Sequence, residues 1–149
     1  MRLRRATEHD AHAIQELLVR CGPEGALAAV EPMLGDIEVF LRSESAGAFI
    51  IADPNGNAGV AMFDRQGDVL WLFRVAVVPA ARSRGLGKAL VNAVEAAARG
   101  MGLSAVFVQM PAQLESRQFF EALGYRTDLE EPDVVGGQAI TLVDLVKLV

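Results

Sequence analysis

The part of the chain with the fewest structural alternatives runs from Val69 to Gly100. It opens with Val69-Leu70-Trp71-Leu72-Phe73-Arg74-Val75-Ala76-Val77-Val78, an apolar run broken by one charge and ended by Pro79, which reads as a buried strand. The turn Ala80-Ala81-Arg82-Ser83-Arg84-Gly85-Leu86-Gly87-Lys88 follows, and apolar residues at 86, 90, 93, 94, 97 and 101 then keep the period of a helix, with Gly100 and Gly102 as its stops. A glycine-bearing turn therefore meets a helix N-terminus. The first amides of a helix have no partner inside it, and its dipole favours negative charge there. Gly85 and Gly87 lack a Cβ and let an anion approach the backbone, while Arg82, Arg84 and Lys88 ring the turn with positive charge. Read only as solubilising charges, these cations would oppose the dipole, so an anion gives their placement a reason. The pattern predicts a phosphate or pyrophosphate ligand.

Spacing separates the phosphate loops that could occupy this turn. A P-loop needs glycine at 82 and a hydroxyl at 89, where Arg82 and Ala89 stand. A dinucleotide fingerprint needs a third glycine at 90 and an acid about twenty positions on, where Leu90, Phe107 and Val108 stand. What remains is Arg82-x-x-Gly85-x-Gly87 after a strand ending Val75-Ala76-Val77-Val78-Pro79. This resembles the acetyl-CoA pyrophosphate loop of the GNAT superfamily of N-acetyltransferases, whose motif reads Q/R-x-x-G-x-G/A. A second stretch, from Gln113 through Ser116 and Phe120 to Gly124-Tyr125, is similar to the superfamily's later signature, N-x-x-A-x-x-x-Y-x-x-x-G-F, and follows in the expected order and separation.

Composition narrows the setting. At 149 residues and 52% hydrophobic, the chain is the size of one folded domain, residues 1–149. Fourteen basic against nineteen acidic residues, a formal charge of −5, argue against nucleic acid as a partner. No apolar run is long enough for a bilayer and no signal peptide opens the chain, so no membrane partner and a cytoplasmic location are expected. The single Cys21 leaves no disulfide and no cysteine zinc cluster, and His9 and His12 do not make a metal site, so no metal is expected.

Taken in order, a short strand in which Leu3 and Arg5 alternate with Arg2 and Arg4 meets Thr7-x-x-Asp10, an N-cap with a first-turn acid, and a helix from Glu8 to about Arg20. Gly22-Pro23 stops it, and Glu24 to Arg42 reads as two short helices broken around Pro32 and Gly35. Phe49 to Ala52 and Gly59 to Phe63 form a hairpin about Asp53-Pro54-Asn55-Gly56, with a second turn at Asp64 to Asp68. Ser104 to Met110 is a buried strand parallel to its predecessor across the helix. A helix from Glu115 to Leu123 closes at Gly124, Tyr125 opens a strand, Glu131 to Gly137 is a loop, and Ala139 to Leu148 is the last strand. That strand's apolar part, Ile140 to Leu148, serves either a buried sheet position or a homodimer contact.

The resemblance covers essentially the whole chain and implies an α/β (α+β) fold: a mixed central sheet of about six to seven strands flanked by helices, two parallel strands splaying to bind CoA. It implies acetyl-CoA as cosubstrate and a small-molecule or peptide amine as acceptor. Carried over, Val75 and Val77 offer backbone to the pantetheine arm, amides from Arg82 through Ser83, Arg84, Gly85, Leu86 and Gly87 to Lys88 hold the pyrophosphate, and Gln113 and Ser116 stand in the second signature. An N–H near Val77 or Val78 is the natural oxyanion donor. The superfamily's tyrosine proton donor falls at Phe120, its Asn at Gln113, its Ala at Ser116, and the glutamate base of the histone-modifying branch at Trp71. Neither acid nor base transfers, and Ser116 and Arg74 are the remaining catalytic candidates. A thiol of pKa about 8.5 leaves tolerably without a proton donor, and an amine of pKa near 8 needs little help from a base, unlike a lysine amine near 10.4. This favours an α-amine or small-molecule acceptor. Arg74 either binds an acceptor carboxylate or, as the preferred reading, pairs with Asp64 or Asp68. The rival function is a non-catalytic CoA or acyl-CoA sensor or partner protein, and behind it an interaction module.

Overall fold

A computed structural model of the chain describes residues 1–21, 34–112 and 116–149. The elements are β1 (Arg2–Arg5), α1 (Ala11–Cys21), α2 (Leu34–Arg42), β2 (Ala46–Asp53), β3 (Gly56–Gln66), β4 (Val69–Val77), α3 (Leu86–Gly100), β5 (Ala105–Pro111), α4 (Ser116–Ala122), β6 (Arg126–Val135) and β7 (Gln138–Leu148). The strands make one seven-stranded mixed sheet in the order β1-β2-β3-β4-β5-β7-β6. Every neighbouring pair is antiparallel except β4 and β5, which are parallel and joined by the α3 crossover. The expected α/β fold is therefore present. Of the two anticipated interruptions, Glu31-Pro32 lies outside the described residues, and Leu34-Gly35-Asp36 does not break the helix but forms the first turn of α2, where the Asp36 charge suits a helix N-terminus and Gly35 is tolerated.

Local chemistry explains the boundaries. Thr7 and Asp10 form a reciprocal capping box around a single 3₁₀ turn, Glu8–Asp10, so α1 proper begins at Ala11. The Asn55 N–H donates to Asp53 Oδ1 at 2.8 Å, an Asx turn that closes the β2–β3 hairpin. Two expected loops are shorter than their composition predicts. β3 continues through Arg65 to Gln66, and the turn shrinks to Gly67-Asp68, with Gly67 at φ 63°. The stretch Glu131 to Gly137 is strand as far as Val135, and a two-residue turn at Gly136-Gly137, with φ of 59° and 79°, reverses the chain. Pro132 signalled a break, but β6 is an edge strand and tolerates a residue without an N–H.

Both faces of β2 and β3 are covered. Neighbours that point to opposite faces, such as Ile50 with Ile51 and Ala61 with Met62, are all buried. On one face Leu90 of α3 and Ile51 close in around Gly59, where a Cβ would lie 3.1 and 3.2 Å from them. The other is covered by α1 and α2, which pack on each other and on these strands. α4 lies beside α3, with Phe119 against Gly87. The N-terminus of α3 is thus fixed where β4, α3 and α4 meet.

Candidate active site

β4 and β5 pair only from Val69 opposite Ala105 to Leu72 opposite Val108. Beyond that point β4 runs on to Val77 and β5 to Pro111 without bonding to each other. Each stays with its outer neighbour instead. β4 continues along β3, where Arg74 faces Met62 and Leu72 faces Phe63, so that Phe73 is an extra residue, a β-bulge. β5 continues along β7, from Gln109 opposite Asp144 to Pro111 opposite Leu142. The parallel pair therefore opens into a wedge.

The edge of β4 that faces the wedge can be read from ladder parity. The Val78 N–H donates to Ala58 O at 2.8 Å, and bonding alternates along an antiparallel pair, so Ala76 and Val78 bond to β3 while Val75 and Val77 turn their N–H and C=O into the split. The amide of Val78, one of two expected oxyanion donors, is already bonded and drops out. Val77 keeps its N–H, but its carbonyl accepts from Arg82 Nε at 3.0 Å. Val75 has both groups available.

After β4 the chain makes a 3₁₀ turn at Pro79–Ala81 and reaches Ser83 at φ 64° and Gly85 at φ 81°. The left-handed conformation costs a non-glycine residue about 1–2 kcal/mol, so Ser83 is held there by its surroundings. Gly85 is the N-cap of α3 and supplies no side-chain cap. The first helical bond is Ala89 N–H to Gly85 O at 3.1 Å, and among the described residues nothing accepts from the amides of Leu86, Gly87 and Lys88. Three bare donors with no side chain over Gly85 suit the oxygens of a diphosphate. At Gly87 a Cβ would lie in ordinary contact, 3.9 Å, with Val77 Cγ2 but 3.3 Å from Phe119 Cζ, so that the ring would have to give by a few tenths of an ångström; the tight approach that suits glycine is that of α3 to Phe119 of α4. Phe119, which the sequence reading did not single out, forms this wall; its only sequence signal is the Phe119-Phe120 doublet.

The cations do not form the ring expected of them. Arg82 turns inward, its Nη2 reaching Cys21 O at 3.2 Å while Nε holds Val77, so its fork of donors ties loop, strand and α1 together. Arg84 stands 3.8 Å from Asp53. Lys88 is exposed and has no acidic partner among the described residues. It is the cation left to meet an anion at the turn.

In the second signature, Gln113 lies outside the described residues. Ser116 is half-buried, its Oγ 3.8 Å from Met110 Sδ. Phe120 is in the core, edge-on to Phe119 at 5.1 Å and to Tyr125 at 5.3 Å between ring centroids. Tyr125 is buried as well and donates to Glu95 at 3.0 Å; desolvation first, then the Glu95 charge, drives its pKa far above the ordinary value. The only tyrosine is thus a structural donor. Arg74 is half-buried, and no carboxylate of the described residues lies within 4.0 Å of it, so the preferred pairing with Asp64 or Asp68 does not form. Asp64 stands opposite Trp71 rather than Arg74, and its Oδ1 is buried without a partner. Trp71 stacks on Phe107 across β4 and β5, centroids 5.1 Å apart. Cys21 is packed in the core, and His9 and His12 are exposed. Among the described residues no cluster of His, Cys, Asp or Glu could hold a metal, and no helix is long and apolar enough to cross a membrane.

Comparison with known proteins bears on this arrangement. Residues 11–125 match the model of the acetyltransferase (GNAT) family. A Bacillus subtilis (strain 168) protein named "Putative acetyltransferase BSU40680" is 36% identical over 78 residues, 52% of this chain and 50% of that protein, so the match spans about half the length of the curated relative. The ribosomal-protein-alanine N-acetyltransferase of Brucella melitensis superposes with a TM-score of 0.84 at 17% identity, covering 100% of both chains. The ribosomal-protein-S18-alanine N-acetyltransferase of Escherichia coli gives 0.82 at 16% identity, covering 99% of this chain and 92% of that one. At such identities these two likenesses speak to the fold.

Proposed function

Since the chain belongs to the GNAT acetyltransferase family, we propose that it moves acetyl from acetyl-CoA to an amine by direct attack. The observation that carries this reading is a coincidence of place: the bare N-terminus of α3 opens beside the wedge between β4 and β5. In this reading the amides of Ser83 to Lys88 hold the diphosphate, with Lys88 adding charge, and the pantetheine arm bonds to Val75 as an added strand would. The Val77 N–H then lies where the thioester oxygen gathers charge. The amine nitrogen donates its lone pair to the carbonyl carbon, the C–N bond forms and the C–S bond breaks. CoA departs as thiolate, and the proton shed by the amine goes to the thiolate or to water. No hydroxyl acid is needed, because the leaving thiol is acidic enough to depart as an anion at neutral pH.

Binding without turnover is the second reading, favoured by the burial of Phe120, which leaves no phenol at the position where the family carries one. Two measurements separate the readings. CoA at one hundred times its Kd should stabilise the protein by about 2.7 kcal/mol, seen as a thermal shift. Acetyl-CoA with a panel of amines should release thiol and yield N-acetyl product. A thermal shift without product on any amine would establish the sensor reading, and no shift at all would remove CoA from the account.

A further inference from the structure

The parity of the strands assigns a face to each side chain around the wedge. Val75 and Val77 stand opposite Ala61 and Gly59, on the face covered by α3. Trp71 and Arg74 stand opposite Asp64 and Met62, which alternate with Ala61 and Phe63 and so lie on the other face. Residues three apart in a regular strand would point to opposite faces. The bulge at Phe73 is what brings Arg74 to the side of Trp71. Phe107 shares that face through its stack with Trp71, Gln109 follows two residues on, and Gln109 Nε2 donates to Asp144 Oδ1 at 2.9 Å.

A diphosphate on α3 sits on one face of the sheet, and an arm threaded through the wedge delivers its thioester to the other. On that second face an aromatic floor, Trp71 and Phe107, lies at the apex. A half-buried guanidinium without a carboxylate partner among the described residues stands on the β4 bank, and Asp144 of β7, its carboxylate pinned by Gln109 of the β5 bank, stands one strand behind the other. From this juxtaposition, and resting on the transfer reading above, we infer that the acceptor is a small amine that also carries a carboxylate: Arg74 binds its carboxylate, and Asp144 accepts a hydrogen bond from its amino group. An internal carboxylate would have made Arg74 a structural ion pair. With none in reach among the described residues, the pairing charge comes with the ligand, where an Arg fork matches a carboxylate in two bonds. Opposite charges on the two sides of the wedge suit a zwitterion and disfavour an amine with no anionic group.

The test uses the full chain with acetyl-CoA and matched acceptors: free α-amino acids, their carboxamides, and the amines left by decarboxylation. Free acids should exceed their carboxamides in kcat/KM by about 10- to 100-fold, the worth of a charge-assisted pair, and the difference should lie in KM. Arg74→Gln should shrink that ratio to within about threefold, and Arg74→Lys should restore part of it. Asp144→Asn should raise KM for acids and carboxamides alike. The thermal shift with CoA, read in each variant, reports whether fold and diphosphate site survive. Equal use of acids and carboxamides by the unaltered protein would overturn this inference while leaving acetyl transfer intact. So would an Arg74→Gln variant that keeps both the CoA shift and the preference for acids. Absence of transfer to every amine would instead overturn the transfer reading, and this inference with it.

Discussion

Replacing Glu95 by Ala separates what holds the fold from what performs the chemistry. Glu95 is 3% exposed on the buried face of α3 and is the only charged residue in the described core. Its Oε2 accepts from Tyr125 and its Oε1 from Lys147, each at 3.0 Å, and the Lys147 ammonium lies 5.9 Å from the Tyr125 ring. One carboxylate thus ties α3 to β7 and to Tyr125 in the link between α4 and β6. Removing it leaves the Tyr125 hydroxyl a buried donor without an acceptor, which costs about 1–3 kcal/mol. Lys147 is 31% exposed and can carry its ammonium to water, so its share is about 1 kcal/mol rather than the full penalty of a buried charge. The one lost methylene adds about 0.8 kcal/mol, partly offset by the better helix propensity of Ala.

The expected loss is about 3 kcal/mol, which lowers Tm by about 6–12 °C in a domain of this size. Glu95→Gln keeps an acceptor for Tyr125 and loses the charge facing Lys147, so about half the effect should remain. Urea and thermal denaturation measure both. The proposed diphosphate site lies about two turns away at the other end of α3, so CoA affinity should hardly change. A Glu95→Ala variant within 2 °C of the parent, or a Gln variant as damaged as the Ala one, would refute the reasoning.

Arg82→Ala should cost about 1–2 kcal/mol by denaturation and weaken CoA binding, because two bonds to backbone carbonyls go with it; Gln should rescue part of the loss by holding Val77 O, whereas Lys, a single point donor, should not. Gly85→Ala should destabilise by about 1 kcal/mol although nothing lies within 4 Å of the new methyl, since the cost arises from φ 81° alone. The carboxyl of Asp10 is held down to about 2 from 3.8, first by its hydrogen bonds from Arg4 and then by the Thr7 amide. Because its folded value lies below the unfolded one, its contribution is complete above about pH 4 and is lost as pH falls toward 2. With Arg4 44% exposed, Asp10→Asn should cost no more than about 1 kcal/mol at pH 7 and nothing near pH 2, which denaturation at the two pH values will show.

The strand, turn and helix from Val69 to Gly100 were legible because three signals agree there: an apolar run, a cluster of glycines, and a helical period whose predicted ends match Leu86–Gly100. The long β6–β7 hairpin was obscured by Glu131-Pro132-Asp133, since acids and a proline mark a loop in the middle of a sheet but suit its open edge. The roles of the cations were misread for another reason. Charge seen in sequence has no direction, and only the fold shows Arg82 facing two carbonyls and Arg84 facing Asp53. The missing partner of Arg74 was likewise beyond a reading that knows how near Asp64 lies along the chain but not which residue it stands opposite.

The bulge at Phe73 explains why these failures gather at one place. In a strand that is apolar at every position but one, alternation carries no parity signal and an extra residue leaves no trace in the pattern. Its consequences are nonetheless specific. The β4–β5 ladder ends at Leu72, immediately before the bulge, and the residue immediately after it, Arg74, appears on the face it would otherwise avoid. Phe73 itself makes an edge-on contact with Phe40 of α2, centroids 6.0 Å apart. The irregularity that parts the two strands therefore also sets the half-buried Arg74 guanidinium, without a carboxylate partner among the described residues, beside the opening, which is why the opening and the residue proposed to select the acceptor come as one feature of the backbone rather than two.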